Sequence, residues 1–535
     1  MTYSIKNIDH LGLVSGMCKE IGIAKIIDQA HPKQSKDKKV TYGQLVEAMI
    51  LNGLGFVGRT LHMYPEYFAD KPVERLLGKG IKAEHINDDA LGRCMDQLYE
   101  TGVSSLYQTL AVRVVELLKL PCEGLNLDST SMHVDGRYDN QDGDTKAIKL
   151  VRGYSRDHRP ELNQAVLNLI TENQAGIPVY MQAASGNIND NEGFKNIVKH
   201  HLSSLKAAQN CSYFIGDAAL YTAESIQSLD EQGRLFITRA PQKLKLVKIA
   251  IAEQEKYVFS ALENGYSGAW LESDYGEVKQ RWLLVRSEQA MKREQYTLDK
   301  RMLKESNASL KSFKKLTRER YSCELDASKS LNKWLRAQDY TEVSDIEIIA
   351  HAVYKQSGRP KQDQQPDSYE YQIMGQLYSS LTQREERLRE KGMFMLATND
   401  CSETLTMEKM LELYKSQQSV EKGFRFLKSP DFLTSSLYLK KPERIEALLM
   451  IMTCCLMVYA ALEHKMREEL KAQTAYFPDL KYKPTQTPTA RWVFFCFQGL
   501  HVLTISQHQE LVVNLKERNR VIIDCLGPIY QKIYS

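Results

Sequence analysis

The chain has 535 residues, 43% of them hydrophobic and 26% charged, an ordinary composition for roughly two to four soluble globular domains. Its formal net charge of +4 is too small to imply a partner by itself. Ten cysteines without a CxxC pair, and the absence of HExxH or any Cys/His cluster, argue against a disulfide framework or structural zinc and for reduced core thiols in a cytoplasmic protein.

Residues 1–120 read as a helical N-terminal domain. Tyr42–Leu54 and Asp88–Tyr99 carry apolar residues at helical spacing, with Asn87 or Asp88 able to cap the second. A third run, Ser104–Leu120, follows a short connection containing Gly102. Helix, glycine turn, helix suits a DNA-end reader, and suits any helical bundle equally well. The pattern changes at Pro121. Leu125–Val134, Ala165–Thr171 and Pro178–Ala184 alternate as strands, the last two forming a hairpin. Asn191–Leu205 reads as helix, Tyr213–Leu220 as a short buried strand carrying Asp217, Tyr221–Leu229 as helix and Arg234–Arg239 as a fifth strand. These make a mixed α/β layer over 121–240.

Residues 241–390 read as an inserted domain, because structureless loops of that length are rare. It holds a charged helix from Glu288 to about Glu324 and a linker-like SGRPKQDQQPDS at 357–368. Between Lys279 and Arg336 stand 16 Lys or Arg against 7 Asp or Glu, a local basic field that serves either as a solvated helical face or as a nucleic-acid groove. Met393–Asn399 returns to a strand and opens a segment, 391–470, that rejoins the α/β layer. The apolar run Ala447–Leu462 is short for a membrane span and reads as a buried core helix. Residues 471–535 read as a helical C-terminal region.

Chemistry concentrates at Tyr414–Lys428, YKSQQSVEKGFRFLK. On one continuous helix, Tyr414, Gln417, Glu421 and Lys428 share a face, while Val420, Phe424 and Leu427 form an apolar stripe beside it. Pro430 is placed to stop that helix. Asp128 and Asp217 fall at strand positions, where an acid needs compensation. Taken singly, each reads as a turn or capping residue. Taken with Glu421, they form a donor set suited to divalent cations in an in-line phosphoryl transfer.

The spacing Tyr414, Gln417, Glu421, Lys428 resembles the Tyr-x2-Arg-x3-Glu-x6-Lys signature of insertion-sequence DDE transposases of the IS-four-like group, in particular its IS-sixteen-thirty-four branch. LDSTS around Asp128, IGDAALY around Asp217 and FITRAP around Arg239 resemble the flanking motifs of that family. The resemblance implies an α/β, RNase H-like core with a mixed five-stranded sheet, interrupted by the inserted domain. It also implies two Mg²⁺ (or Mn²⁺) ions on Asp128, Asp217 and Glu421. It implies DNA contacts by Tyr414, Gln417, Lys428 and Arg239, and more weakly by Lys422 and Arg425. The implied partners are double-stranded DNA, as terminal inverted repeats and target, and a second copy of the chain in the active complex, with no membrane. Gln417 stands where the signature has arginine, and so lacks the charged bidentate fork. Two alternatives stay open at this point: a catalytically silent DNA-binding repressor, and a nuclease that cuts without joining.

Overall fold

The computed structural model describes residues 3–32, 39–56, 61–134, 138, 147–155, 158–188, 197, 211–355, 364–429, 439–505 and 509–535. The helix expected over Asn191–Leu205 lies outside these residues, Ile197 apart, as do Pro430 and most of the linker-like stretch at 357–368. The chain divides into two compact units. One comprises Met1–Arg239, Ser273–Arg281 and Ala397–Ser535, and the other Ala240–Glu272 and Trp282–Leu396.

The larger unit begins with strand β1 (Tyr3–Asn7) and helices α1 (Leu11–Ile21), α2 (Ile23–Ala30), α3 (Tyr42–Leu54), α4 (Asp88–Thr101) and α5 (Val103–Leu118). Its sheet follows as β2 (Gly124–Val134), β3 (Asn163–Glu172), β4 (Pro178–Ser185), β5 (Tyr213–Gly216) and β6 (Leu235–Ala240). Later come α6 (Met407–Lys415), α7 (Gln418–Leu427), α8 (Pro442–Ala472), β7 (His501–Ile505) and β8 (Gln509–Val513). These strands lie in the order β4-β3-β2-β5-β6, as consecutive members of a sheet of nine strands among the described residues, larger than the five-stranded sheet expected. β2, β3 and β4 are antiparallel neighbours, whereas β2, β5 and β6 run parallel.

Helix starts follow their sequence signals. Thr41 caps α3 in a reciprocal box with Gln44, and the Asn87 side chain caps α4 by accepting from the Ala90 N–H at 3.0 Å. The α4–α5 pair packs as part of a bundle. Leu91, Met95, Leu98, Leu106, Tyr107 and Leu110 are all in the core, and the Tyr107 hydroxyl donates to the Pro178 carbonyl of β4 at 2.8 Å. At the centre of that bundle is α8, which touches α1, α3, α4 and α5. It is the described helix long and apolar enough to span a membrane, yet 83% of its apolar window is buried inside the protein. The C-terminal region, expected to be helical, also supplies β7 and β8, and β7 pairs antiparallel with β1.

Glu47 makes the α2–α3 contact sensitive to pH. It is 5% exposed and accepts from the Ala24 N–H in the first turn of α2 at 3.3 Å. Burial pushes its carboxyl up from 4.5 to about 7, against the pull of the Ala24 N–H and the Lys19 charge. A raised folded-state pKa stabilises the fold fully below the unfolded value, and that stability is lost as pH rises through the folded value. Between about pH 4.5 and 7 the helical body should therefore lose about 3 kcal/mol through this group. Hydrogen exchange at the Ala24 and Gly43 amides should quicken over that window, beyond the intrinsic pH trend, in the wild type and not in Glu47→Gln.

In the smaller unit, helices Glu288–Leu316 and Glu324–Arg336 pack on an antiparallel ribbon of Thr341–Val353 and Ser368–Ser379. Phe313, Leu316, Ala327, Leu331 and Ile373 fill the contact. The single charged helix expected to run to Glu324 thus ends at Leu316. Past it the chain leaves the helix so that Tyr321 can bridge to Tyr371 of the ribbon.

Candidate active site

The parallel register sets three of the expected residues in one row. Leu127 of β2 pairs with Gly216 of β5, and Gly216 pairs with Thr238 of β6. The next residue on each chain is Asp128, Asp217 and Arg239, so two acids and a guanidinium-bearing residue follow one another across neighbouring strands about 4.8 Å apart. Asp128 is 8% exposed, and its Oδ1 accepts the Ser129 N–H at 2.7 Å. Asp217 is half-buried just past the end of β5, which stops at Gly216. There its Oδ1 accepts the Ala219 N–H at 2.9 Å, and its carbonyl accepts the Thr238 hydroxyl at 2.8 Å.

Tyr414 lies beside this row. Its phenol accepts a hydrogen bond from Arg239 and lies within the electrostatic reach of both Asp217 and Glu421. Burial first, and then the two carboxylates, raise its pKa, with Arg239 acting in the opposite sense. The phenol therefore stays protonated at neutral pH. Glu421 is exposed in the first turn of α7, where the helix dipole favours a negative charge.

The expectation of one continuous Tyr414–Lys428 helix is corrected. α6 ends at Lys415 and α7 starts at Gln418. Across the junction, Gln417, Ser419 and Val420 donate to carbonyls three residues back instead of four. The reason lies in two serines. Ser416 Oγ donates to the Leu413 carbonyl and Ser419 Oγ to the Ser416 carbonyl, each at 2.7 Å, so side chains take acceptors that a regular helix would use. Gln417 sits in this turn at 8% exposure, so its amide faces inward. Val420, Phe424 and Leu427 are buried in the core, as their spacing predicts.

Lys428 is half-buried at the C-cap of α7, while Lys422 and Arg425 are exposed. Among the described residues no hydrogen bond or ion pair engages Lys422 or Arg425. The junction is held to the sheet by residues the sequence reading missed. Ser416 Oγ bonds Asn126 Oδ1 at 3.2 Å, and Asn126 lies two residues before Asp128 on the same face of β2, with no exposed surface. Lys409 of α6 pairs with Glu123 at 2.9 Å. No local signal marks Asn126 or Glu123, because their partners lie almost 300 positions away.

A family model described as "Transposase DDE domain" matches residues 123–458, which is more than half of the chain. The chain belongs to the DDE transposase family. A second model, described as "Domain of unknown function (DUF4277)", matches residues 3–112 of this transposase, a pairing typical of the IS-four-like group. No curated protein matches the sequence. Among solved structures, the transposase is similar to the piggyBac transposase in a synaptic complex with hairpin DNA, at 10% identity and a TM-score of 0.38, over 99% of this chain and 88% of that one.

Among the described residues, no three acid, histidine or cysteine side chains are already gathered as a metal-holding group. The register instead places Asp128 and Asp217 on neighbouring strands, and Glu421 stands exposed on α7. Carboxylate oxygens alone, with no sulfur or imidazole among them, are the donor chemistry of Mg²⁺ and Mn²⁺ rather than of zinc.

Proposed function

We propose that this transposase cuts DNA at the ends of its own insertion sequence and joins the freed 3′-hydroxyls to target DNA. We further assign it to the IS-sixteen-thirty-four branch, on the helical N-terminal region that precedes the catalytic segment. The observation that carries the reading is the Asp128–Asp217–Arg239 row, with Tyr414 hydrogen-bonded to its Arg239. The strand order β4-β3-β2-β5-β6, three antiparallel strands followed by two parallel ones, supports an RNase H-like core.

Asp128, Asp217 and Glu421 would hold the divalent cations. Such ions, when bound, activate an attacking oxygen and stabilise the departing one in an in-line displacement. The protein's own groups do the rest. Arg239 carries a fixed positive charge beside the two strand acids and steadies the Tyr414 phenol by hydrogen bonding. Tyr414, kept protonated, offers a neutral donor for a non-bridging phosphate oxygen. Lys428, at the end of α7, and the exposed Lys422 and Arg425 give positive charge to the DNA backbone. Gln417, turned into the junction, supports the turn rather than the DNA.

Strand transfer with precut element ends tests the reading. In Mg²⁺ the protein should join 3′-hydroxyl ends to a plasmid target. Cutting of intact ends without any joining would leave a nuclease and remove the transposition reading.

A further inference from the structure

Between α8 and β7 the chain carries aromatic and basic side chains outside the catalytic row, and it lies beyond both segments matched by family models. Phe477–Pro478 pairs antiparallel with Pro484–Thr485, and Asp479 to Lys483 close the hairpin. That turn is fixed from within. The Asp479 carboxylate accepts the Lys481 and Lys483 N–H groups at 2.7 and 2.8 Å, and the Lys483 carbonyl accepts the Asp479 N–H at 2.8 Å. So held, Tyr482 adopts a φ of 60°, in the left-handed region that disfavours a bulky side chain, and it stands 76% exposed. Leu480 and Tyr476 are exposed beside it, at 73% and 51%. The hairpin is tied to the short helix Ala490–Cys496, whose Trp492 indole N–H donates to the Pro478 carbonyl at 2.7 Å. Trp492 in turn stacks on Phe495, with ring centroids 5.5 Å apart and planes 17° from parallel, and Phe495 is 59% exposed. The backbone thus bears strain to present one ring to water, and a stacked partner steadies another.

We propose that this hairpin, together with Phe495, binds an unpaired DNA strand. The charged residues across Tyr476 to Phe495 are Lys481, Lys483, Arg491 and Asp479. Asp479 is engaged in the turn, so the outward charge is positive. Among the described residues no ion pair engages Lys481 or Lys483, which flank Tyr482 on either side. Cations beside exposed rings are the two halves of a single-strand site: the ammonium groups meet phosphates and the rings meet base faces. A duplex would use the lysines and leave the rings in water, because its bases already cover one another. The inference rests on the DNA-cutting reading only for the source of the strand, since a duplex end opened for cleavage supplies unpaired nucleotides.

Fluorescence anisotropy of the full chain in chelator, with labelled oligo-dT and with the dT·dA duplex of the same length, tests it. Tyr482→Gly should weaken oligo-dT binding by ~5–100-fold and duplex binding by less than ~2-fold. Glycine suits the left-handed backbone, so the thermal midpoint of that variant should stay level or rise. Tyr482→Phe should bind like the wild type, because stacking needs the ring and not the hydroxyl. Replacing Lys481 and Lys483 together by Ala should flatten the dependence of log K on log salt for oligo-dT by ~1.4. A wild type that does not bind oligo-dT, or a Tyr482→Gly protein that binds it as well as the wild type, would overturn the proposal. So would an equal loss on oligo-dT and duplex, which would make the hairpin a general phosphate contact. A protein that binds oligo-dT through Tyr482 yet never cuts element ends would remove the cutting reading and leave this one standing.

Discussion

Asp128→Asn, Asp217→Asn and Glu421→Gln should each lower metal-dependent cleavage of element ends by ~10³-fold or more, with the fold and DNA binding retained. The substitutions keep size and shape while removing one negative charge each. Folding should survive because the structural acceptors survive. An Asn at 128 can still accept from the Ser129 N–H, and one at 217 from the Ala219 N–H. Glu421 is exposed, so its amide counterpart costs the fold little. Cleavage should not survive, because a neutral amide holds Mg²⁺ far less well than a carboxylate does. The measurement is a nicking assay on labelled ends, paired with a mobility shift in chelator to show that binding persists. Near-wild-type cutting by all three variants would end the assignment of the acids.

Gly43→Ala should have a large effect on stability. A Cβ at this position would lie 2.2 Å from the Ala24 carbonyl oxygen and 2.5 Å from its Cα. The obstacle is backbone, which cannot rotate aside as a side chain can. Two further bonds pin the same contact, the Gly43 N–H to Asp28 Oδ1 at 2.8 Å and the Ala24 N–H to Glu47. The methyl group therefore has to push α2 away from α3 and strain both. A loss of about 3 kcal/mol or more is expected, read as a lowered unfolding midpoint of the helical body. Gly22→Ala makes a useful contrast. Its added methyl meets nothing within 4 Å, but its φ of +80° penalises any side chain, so a loss of about 1 kcal/mol is expected there. Equal midpoints for Gly43→Ala and the wild type would show that α2 and α3 are not packed this closely.

Much of the secondary structure was legible from local pattern. Tyr42–Leu54 was readable because Thr41 and Gln44 cap it and its apolar residues recur at helical spacing. The strand bearing Asp128 was readable from its alternation, and the one that ends just before Asp217 from its short buried apolar run. The break between α6 and α7 was not, although Ser416 and Ser419 are visible in the sequence. Whether a serine bonds a nearby carbonyl or faces water depends on what lies opposite, and here that is Asn126, 290 positions earlier.

By itself, then, the sequence determined the residue types of the site, their spacing within each segment and the apolar stripe that seats α7, since all of these are local properties of a chain. Only the tertiary structure decided which of them meet. The register Leu127–Gly216–Thr238 puts Asp128, Asp217 and Arg239 in one row, and Tyr414 comes to bond Arg239 from a helix about 175 positions away. It likewise decided that the two ends of the chain share the β1–β7–β8 sheet. Strand pairing is set by backbone hydrogen bonds and by burial summed over the whole fold, and no single segment carries that sum.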